Sequence, residues 1–140
     1  MNRLAVRARD KEWMDGPDLD VRLYEAILRE LSFVNRWTFA YRPVLAFLTR
    51  ALTRSRNQGS FRLLEVGFGY GDMLREIARW AAHRGVTVEL LGVDLRQSAV
   101  DTARAATPGN LPISYLTGDF RASGHDFDFV ISSQVAHHLD

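Results

Sequence analysis

The sequence contains no cysteine. Disulfides and thiolate metal sites are therefore excluded, and the composition is consistent with a reducing compartment. Lysine is almost absent as well, with Lys11 the only one, so the positive side is carried by arginine. Neither sign of charge is in excess: Lys and Arg number 18, Asp and Glu 17, for a net charge of +1. Nothing in that balance draws the whole chain to nucleic acid or to an anionic membrane. Long apolar runs are also missing. No stretch approaches the roughly 20 residues needed to span a bilayer, and Met1–Arg7 lacks the apolar core of a signal peptide. The expectation is a cytoplasmic protein with no nucleic-acid or membrane partner. Internal repeats, low-complexity tracts and histidine or carboxylate clusters at metal-ligand spacing are not found, so no metal is expected.

What is present is an ordinary globular composition, 46% hydrophobic and 25% charged over 140 residues, enough for about one domain with a real core. Residues 1–17 show no period and read as a lead-in. Asp18 or Asp20 is a plausible N-cap for a helix that keeps Val21, Tyr24, Ile27 or Leu28, Leu31 and Val34 on one face. Pro43 can open a second helix carrying Val44, Phe47, Leu48, Ala51 and Leu52. Thr53–Ser60 is polar and reads as a loop. Tyr24, Phe33, Trp37, Phe39 and Tyr41 form an aromatic set that suits either core or a lid over a substrate.

From Phe61 onward strands and helices alternate, which predicts parallel βαβ units with right-handed crossovers. Strands are expected over 62–66, 86–93, 113–116 and 127–132, with helices over 72–84 and 98–106 and a loop over 121–126. The domain division is 1–60, a helical segment, and 61–140, a Rossmann-like α/β unit: a doubly wound parallel sheet in a three-layer αβα arrangement.

The first strand ends in Leu63-Leu64-Glu65-Val66-Gly67-Phe68-Gly69-Tyr70-Gly71-Asp72. Glycines at 67, 69 and 71 let the backbone take positive φ and let a ligand approach the main chain. Such turns lie at the carboxyl ends of parallel strands, where ligands of α/β sheets collect. A dinucleotide loop wants Gly-x-Gly-x-x-Gly. Read from Gly67 the third position is Asp72, and read from Gly69 it is Leu74. Glu65 and Asp72 would also repel a pyrophosphate and would not repel an ammonium group. The loop therefore suits a cationic, phosphate-free nucleoside better than NAD.

These residues resemble motif I of the class I S-adenosylmethionine-dependent methyltransferases, and the likeness continues downstream. The resemblance implies that Glu65, Gly67, Gly69 and Gly71 surround the methionine moiety of the cofactor. Asp94 closes the second strand, where a carboxylate can accept hydrogen bonds from both ribose hydroxyls; its plainer role would be to cap the next helix. Leu95 would flank the adenine. Asp119 and Phe120, in Thr117-Gly118-Asp119-Phe120, match the family's adenine contacts, against the plainer reading of a turn with an exposed acid.

Ser132–Leu139 lies where the family borders the transferable methyl, with Gln134 placed to touch the cofactor. The Asn/Asp-Pro-Pro-Tyr/Phe form of many nitrogen methyltransferases is absent, and His137-His138-Leu139 resembles the small-molecule enzymes of ubiquinone and menaquinone biosynthesis. His138, or else His137, could act as a base toward a phenol, enol or acidic carbon, although one of the pair could equally pack or cap a helix. His83 and His125 read as surface.

The resemblance implies methyl transfer to the O, C or N of an aromatic, quinone-like or polyketide-like acceptor. It covers nearly all of 61–140 but only about half of the family's core, which would leave the fourth strand as an edge able to pair with a second copy as a homodimer. Two alternatives stand beside it: a non-catalytic cofactor-binding fragment or interaction module, and an NAD-binding enzyme.

Overall fold

The computed structural model describes residues 20–54, 59–122 and 126–132. Helix α1 spans Val21–Trp37 and α2 Arg42–Arg54; β1 (Ser60–Val66) leads to α3 (Asp72–His83), β2 (Thr87–Asp94), α4 (Gln97–Ala106), β3 (Ile113–Thr117) and β4 (Phe129–Ile131). A single turn of 3-10 helix, Phe120–Ala122, lies between the last two strands.

Helix ends follow the local chemistry. Asp20 caps α1, its Oδ1 accepting from the N–H of Arg22 at 2.7 Å and of Leu23 at 3.4 Å. Gly85, at φ 66°, ends α3 in the left-handed conformation, and the N–H of Val86 donates back to the carbonyl of Ala81 at 3.0 Å.

All four strands are parallel, in the order β3-β2-β1-β4. The chain moves outward from β1 to β2 to β3 and then returns to pair β4 with the other side of β1. That reversal makes the sheet doubly wound and puts the switch point between β1 and β4. Side chains alternate across β1 accordingly. Phe61 and Leu63 join the main core with Leu90, Leu74, Ile77 and the buried residues of α1, α2 and α4. Leu64 faces the other way with Leu91 and Val93, covered by Phe120 and Phe127 from the β3–β4 connection. The Rossmann-like α/β fold expected from the alternation is the fold observed.

Several boundaries differ from the sequence reading. Thr53 and Arg54 belong to α2, not to a loop: the Thr53 hydroxyl donates to the Arg50 carbonyl at 2.8 Å and satisfies itself within the helix. Ser60 belongs to β1, opposite Thr87. Strand β4 is shorter than 127–132, because Asp128 engages β1 with its side chain, its Oδ2 accepting from the N–H of Arg62 at 2.7 Å. Phe127 instead sits below the Arg62 guanidinium. Part of the expected loop over 121–126 is the 3-10 turn. The aromatic set divides: Tyr24 is buried and Tyr41 packs on the core, whereas Phe33, Trp37 and Phe39 are exposed.

Candidate cofactor-binding site

The three glycines do what their positions in sequence suggest. Gly67, Gly69 and Gly71 have φ of 69°, 55° and 73°, a region other residues enter only with strain. The loop starts as an extension of the sheet, the Gly67 N–H donating to the Val93 carbonyl at 2.8 Å, and closes with the Gly71 N–H on the Phe68 carbonyl at 2.9 Å. Gly71 then caps α3, whose first turn carries Asp72, a favourable place for a negative charge.

The loop is seated from inside. Phe68 is buried and stacks on Tyr115 of β3, ring centroids 4.8 Å apart. The room for it comes from Gly92 on β2, where an added Cβ would lie 2.6 Å from the Phe68 ring and 2.9 Å from Leu74. The glycine in Leu91-Gly92-Val93 is thus a packing requirement of the loop, which the sequence reading did not identify. Its signal was a lone glycine inside an otherwise apolar strand.

Asp94 binds the loop to the second strand. Its Oδ2 accepts from the Gly69 N–H at 3.2 Å and its Oδ1 from the Arg96 N–H at 3.0 Å. Arg96 is the N-cap residue of α4, and Asp94 does not cap that helix itself. Burial pushes the Asp94 carboxyl above the usual carboxylate range, opposed by the N–H groups of Arg96, Gly69 and Leu95. A carboxylate has about four acceptor sites, so these three N–H groups leave room for another donor. The backbone of Asp94 also reaches the next strand end, its carbonyl accepting from Gly118 at 2.9 Å. The glycine loop, Asp94 and the Gly118 turn are therefore hydrogen-bonded side by side at the carboxyl ends of β1, β2 and β3.

Glu65 lies deeper. It pairs in register with Gly92 and Ile131 and is 1% exposed, on the core side of β1. An acidic side chain so enclosed suits a hydrogen-bond donor or a cationic group nearby. Leu95 is 80% exposed beside Asp94. Asp119 is exposed, its Oδ1 accepting from the Arg121 N–H at 2.9 Å, with Phe120 half-buried next to it. Gln134, His137 and His138 lie outside the described residues. The acids at 65, 94 and 119 and the glycines at 67, 69 and 71 thus come together at one end of the sheet. The enclosed Glu65 and half-buried Asp94 carboxylates, with no lysine or arginine among loop residues 67–72, fit a nucleoside with a cationic end.

Helix α1 lies against this end. Leu28 comes within 3.4 Å of where a Cβ on Gly69 would be, the Arg96 guanidinium stacks over Tyr24 at 4.8 Å, and the Asn35 amide donates to Asp72 at 3.4 Å. A groove of about 300 Å³, lined by Glu25, Arg29, Tyr70, Asp101 and Thr102, opens between α1 and α4, and none of the candidate site residues lines it.

A sequence profile described as "Methyltransferase domain" matches residues 63–140, more than half of the chain. The chain belongs to the methyltransferase domain family. S-adenosylmethionine is the cofactor expected of that family. No curated protein sequence matches the chain. Among solved structures, the plantazolicin methyltransferase BpumL in complex with S-adenosylhomocysteine superposes with a TM-score of 0.60 at 16% identity, covering 86% of this chain and 43% of that one. A Methanococcus maripaludis protein assigned as an S-adenosyl-L-methionine-dependent methyltransferase gives a TM-score of 0.57 at 13% identity, covering 96% and 57%. A Haloferax volcanii protein assigned as a methyltransferase, solved with the activator Trm112, gives 0.51 at 23% identity, covering 78% and 46%. The chain thus spans about half the length of these methyltransferases. Among its described residues no helix is long and apolar enough to cross a membrane.

Proposed function

We propose that the chain binds S-adenosylmethionine at the carboxyl ends of β1–β3 and serves methyl transfer to a small-molecule O, C or N nucleophile. The observation that carries this reading is Asp94, a half-buried carboxylate at the end of β2 that holds Gly69 of the positive-φ loop. In this reading Glu65, Gly67, Gly69 and Gly71 receive the methionine end, Asp94 the two ribose hydroxyls, Leu95 one face of the adenine, and Asp119 with Phe120 its amine and ring. Gln134 would contact the cofactor from the segment after β4. The bound sulfonium supplies the activated methyl group. The protein contributes positioning and exclusion of water, and His138 or His137 takes the proton where the nucleophile carries one. A small aromatic, quinone-like or polyketide-like acceptor is supported by the resemblance of His137-His138-Leu139 to the small-molecule enzymes. The domain division at residue 60 and a cytoplasmic location belong to the same reading.

The test is calorimetric titration of the chain with S-adenosylmethionine and S-adenosylhomocysteine, with Asp94→Ala as control. Saturable heat from the parent, much weakened in the variant, is expected; no heat from either ligand sinks the reading. The NAD alternative has little to support it, since Leu74, where a third glycine would stand, fills the space over Gly92.

A second reading concerns assembly. The three-residue strand β4 is an end strand of the sheet among the described residues, which favours a homodimer or interaction module pairing through that edge. Light scattering that finds a monomer at tens of micromolar would discard it.

A further inference from the structure

Beneath the glycine loop lies a set of polar groups that makes no contact assigned to the cofactor. Arg75, in the first turn of α3, is 6% exposed. Among the described residues no carboxylate lies within 4.0 Å of its guanidinium, so its burial is not explained by an ion pair. Its Nη1 donates instead to the carbonyl of Tyr70, between Gly69 and Gly71, at 2.8 Å, and to the Thr107 hydroxyl at 3.3 Å. The guanidinium also lies 4.9 Å from the Tyr70 ring centroid, so backbone and side chain of one loop residue are held by one arginine.

Proton counting fixes the direction of the remaining bonds. The Thr107 hydroxyl donates its single hydrogen to the Ala103 carbonyl at 2.7 Å. The 2.9 Å contact between Thr107 and Tyr115 therefore has the tyrosine as donor. Thr107 accepts from both Arg75 and Tyr115 and is satisfied. A phenol is protonated near neutral pH at its ordinary value, and burial pushes Tyr115 further up, against the opposing effects of Thr107 and Arg75, so it stays a donor. The same hydroxyl is what a Cβ at Gly71 would strike at 2.5 Å, and the same ring is what Phe68 stacks on. Loop residues 68, 70 and 71 thus each rest on Arg75 or Tyr115, and Thr107, just past α4, joins the two.

We propose that Arg75, through Thr107 and Tyr115, is a positioning residue that presets the glycine loop for the cofactor. One guanidinium nitrogen, Nη1, meets both the carbonyl and the hydroxyl while the planar group lies by the Tyr70 ring; a lysine ammonium, on a shorter stem and without a planar face, does not reproduce that combination. The inference rests on the cofactor reading above for its consequence, and on the loop's own geometry for its substance.

The experiment uses the full chain with Arg75→Lys, Arg75→Met, Thr107→Val and Tyr115→Phe. S-adenosylhomocysteine is titrated by calorimetry well below each variant's Tm, and the Gly69 and Gly71 amide resonances are recorded without ligand. The network predicts affinity about tenfold or more weaker in both Arg75 variants, Lys giving no rescue, with displaced Gly69 and Gly71 resonances. Thr107→Val and Tyr115→Phe should show smaller effects in the same direction, non-additive with Arg75→Met. A merely structural role would lower Tm while leaving the affinity of folded protein and the loop resonances unchanged, and that result overturns the proposal. If Arg75→Met does not fold, Thr107→Val decides on the same two readouts. If the parent binds no ligand, the cofactor reading fails, and unmoved Gly69 and Gly71 resonances in the variants would then remove the network as well.

Discussion

The turn after β1 and the turn after β3 both combine glycine with an acidic residue at a strand end, and the protein fixes them in opposite ways. In the first, Phe68 fills the space over Gly92, Gly71 sits on Tyr115, and Asp94 holds Gly69, so surrounding residues dictate the conformation. In the second, the Gly118 N–H is held by the Asp94 carbonyl at 2.9 Å, but nothing lies within 4 Å of where a Cβ on Gly118 would be, and Asp119 accepts from Arg121 within the turn. A turn packed by side chains of its neighbours is preorganised for a ligand; a turn held through its backbone and otherwise open takes more of its order from the ligand it meets.

The largest expected effect compares the two glycines directly. Gly71→Ala combines positive φ with a 2.5 Å approach to the Tyr115 hydroxyl. It should cost about 3 kcal/mol or more and lower Tm by roughly 10 °C. Gly118→Ala also has positive φ, at 139°, but meets open space, and should cost about 1–2 kcal/mol. Equal losses by denaturant titration would abolish the distinction between the turns.

Asp94, which touches both turns, gives the next effect. Its carboxyl is raised above its ordinary value mainly by burial, so the folded state binds that proton more tightly than the unfolded state. Ionisation therefore opposes folding: the penalty is absent below the ordinary carboxylate range and complete once pH has risen through the raised value. Relative to the parent, Asp94→Asn should gain stability as pH rises from about 4 to about 7, even though it weakens the bonds to Gly69 and Arg96. Affinity for S-adenosylhomocysteine should move the other way, falling as pH drops, because ribose hydroxyls donate best to the ionised form. A flat Tm difference across this range would remove the burial effect.

The contrast between the turns also explains what could be read from the sequence. Alternation of apolar runs and the Gly67-Gly69-Gly71 spacing placed β1, α3 and the loop, because buried parallel strands and positive-φ turns leave a strong compositional mark. The profile match over 63–140 agrees with the family seen in those residues. Gly92, Arg75, Thr107 and Tyr115 were not legible as a set, since their relation depends on strands and helices far apart in the chain. The start of β4 was misplaced because an Asp128 side chain replaces a ladder bond, which no periodicity records. Phe33, Trp37 and Phe39 are apolar by type yet exposed, and side-chain pattern alone could not separate them from Tyr24.

Asp119→Ala should change stability by no more than about 0.5 kcal/mol, as the side chain is 53% exposed and its ion pair, at 3.8 Å, is with an Arg121 that is 75% exposed. If the adenine amine is its partner, S-adenosylhomocysteine should bind several-fold more weakly, while inosine-based S-inosylhomocysteine, which lacks that amine, should bind the parent and the variant alike. Discrimination by both proteins would move the adenine contact elsewhere.

The smallest effect tests whether α1 belongs to the loop's surroundings. At the α3 terminus it offers a long polar bond, Asn35 to Asp72 at 3.4 Å, whereas Leu28 at Gly69 and Tyr24 beneath the Arg96 guanidinium are packing links. A part-buried neutral donor on a carboxylate at that length contributes a few tenths of a kcal/mol at most. Asn35→Ala should therefore leave Tm within about 1–2 °C of the parent. Leu28→Ala removes the contact at the glycine itself and should cost about 2–3 kcal/mol. If Asn35→Ala proved the more damaging of the two, α1 would be held by its polar end at the α3 terminus, and the glycine loop would owe its shape to Arg75, Tyr115 and Asp94 without help from the helix above it.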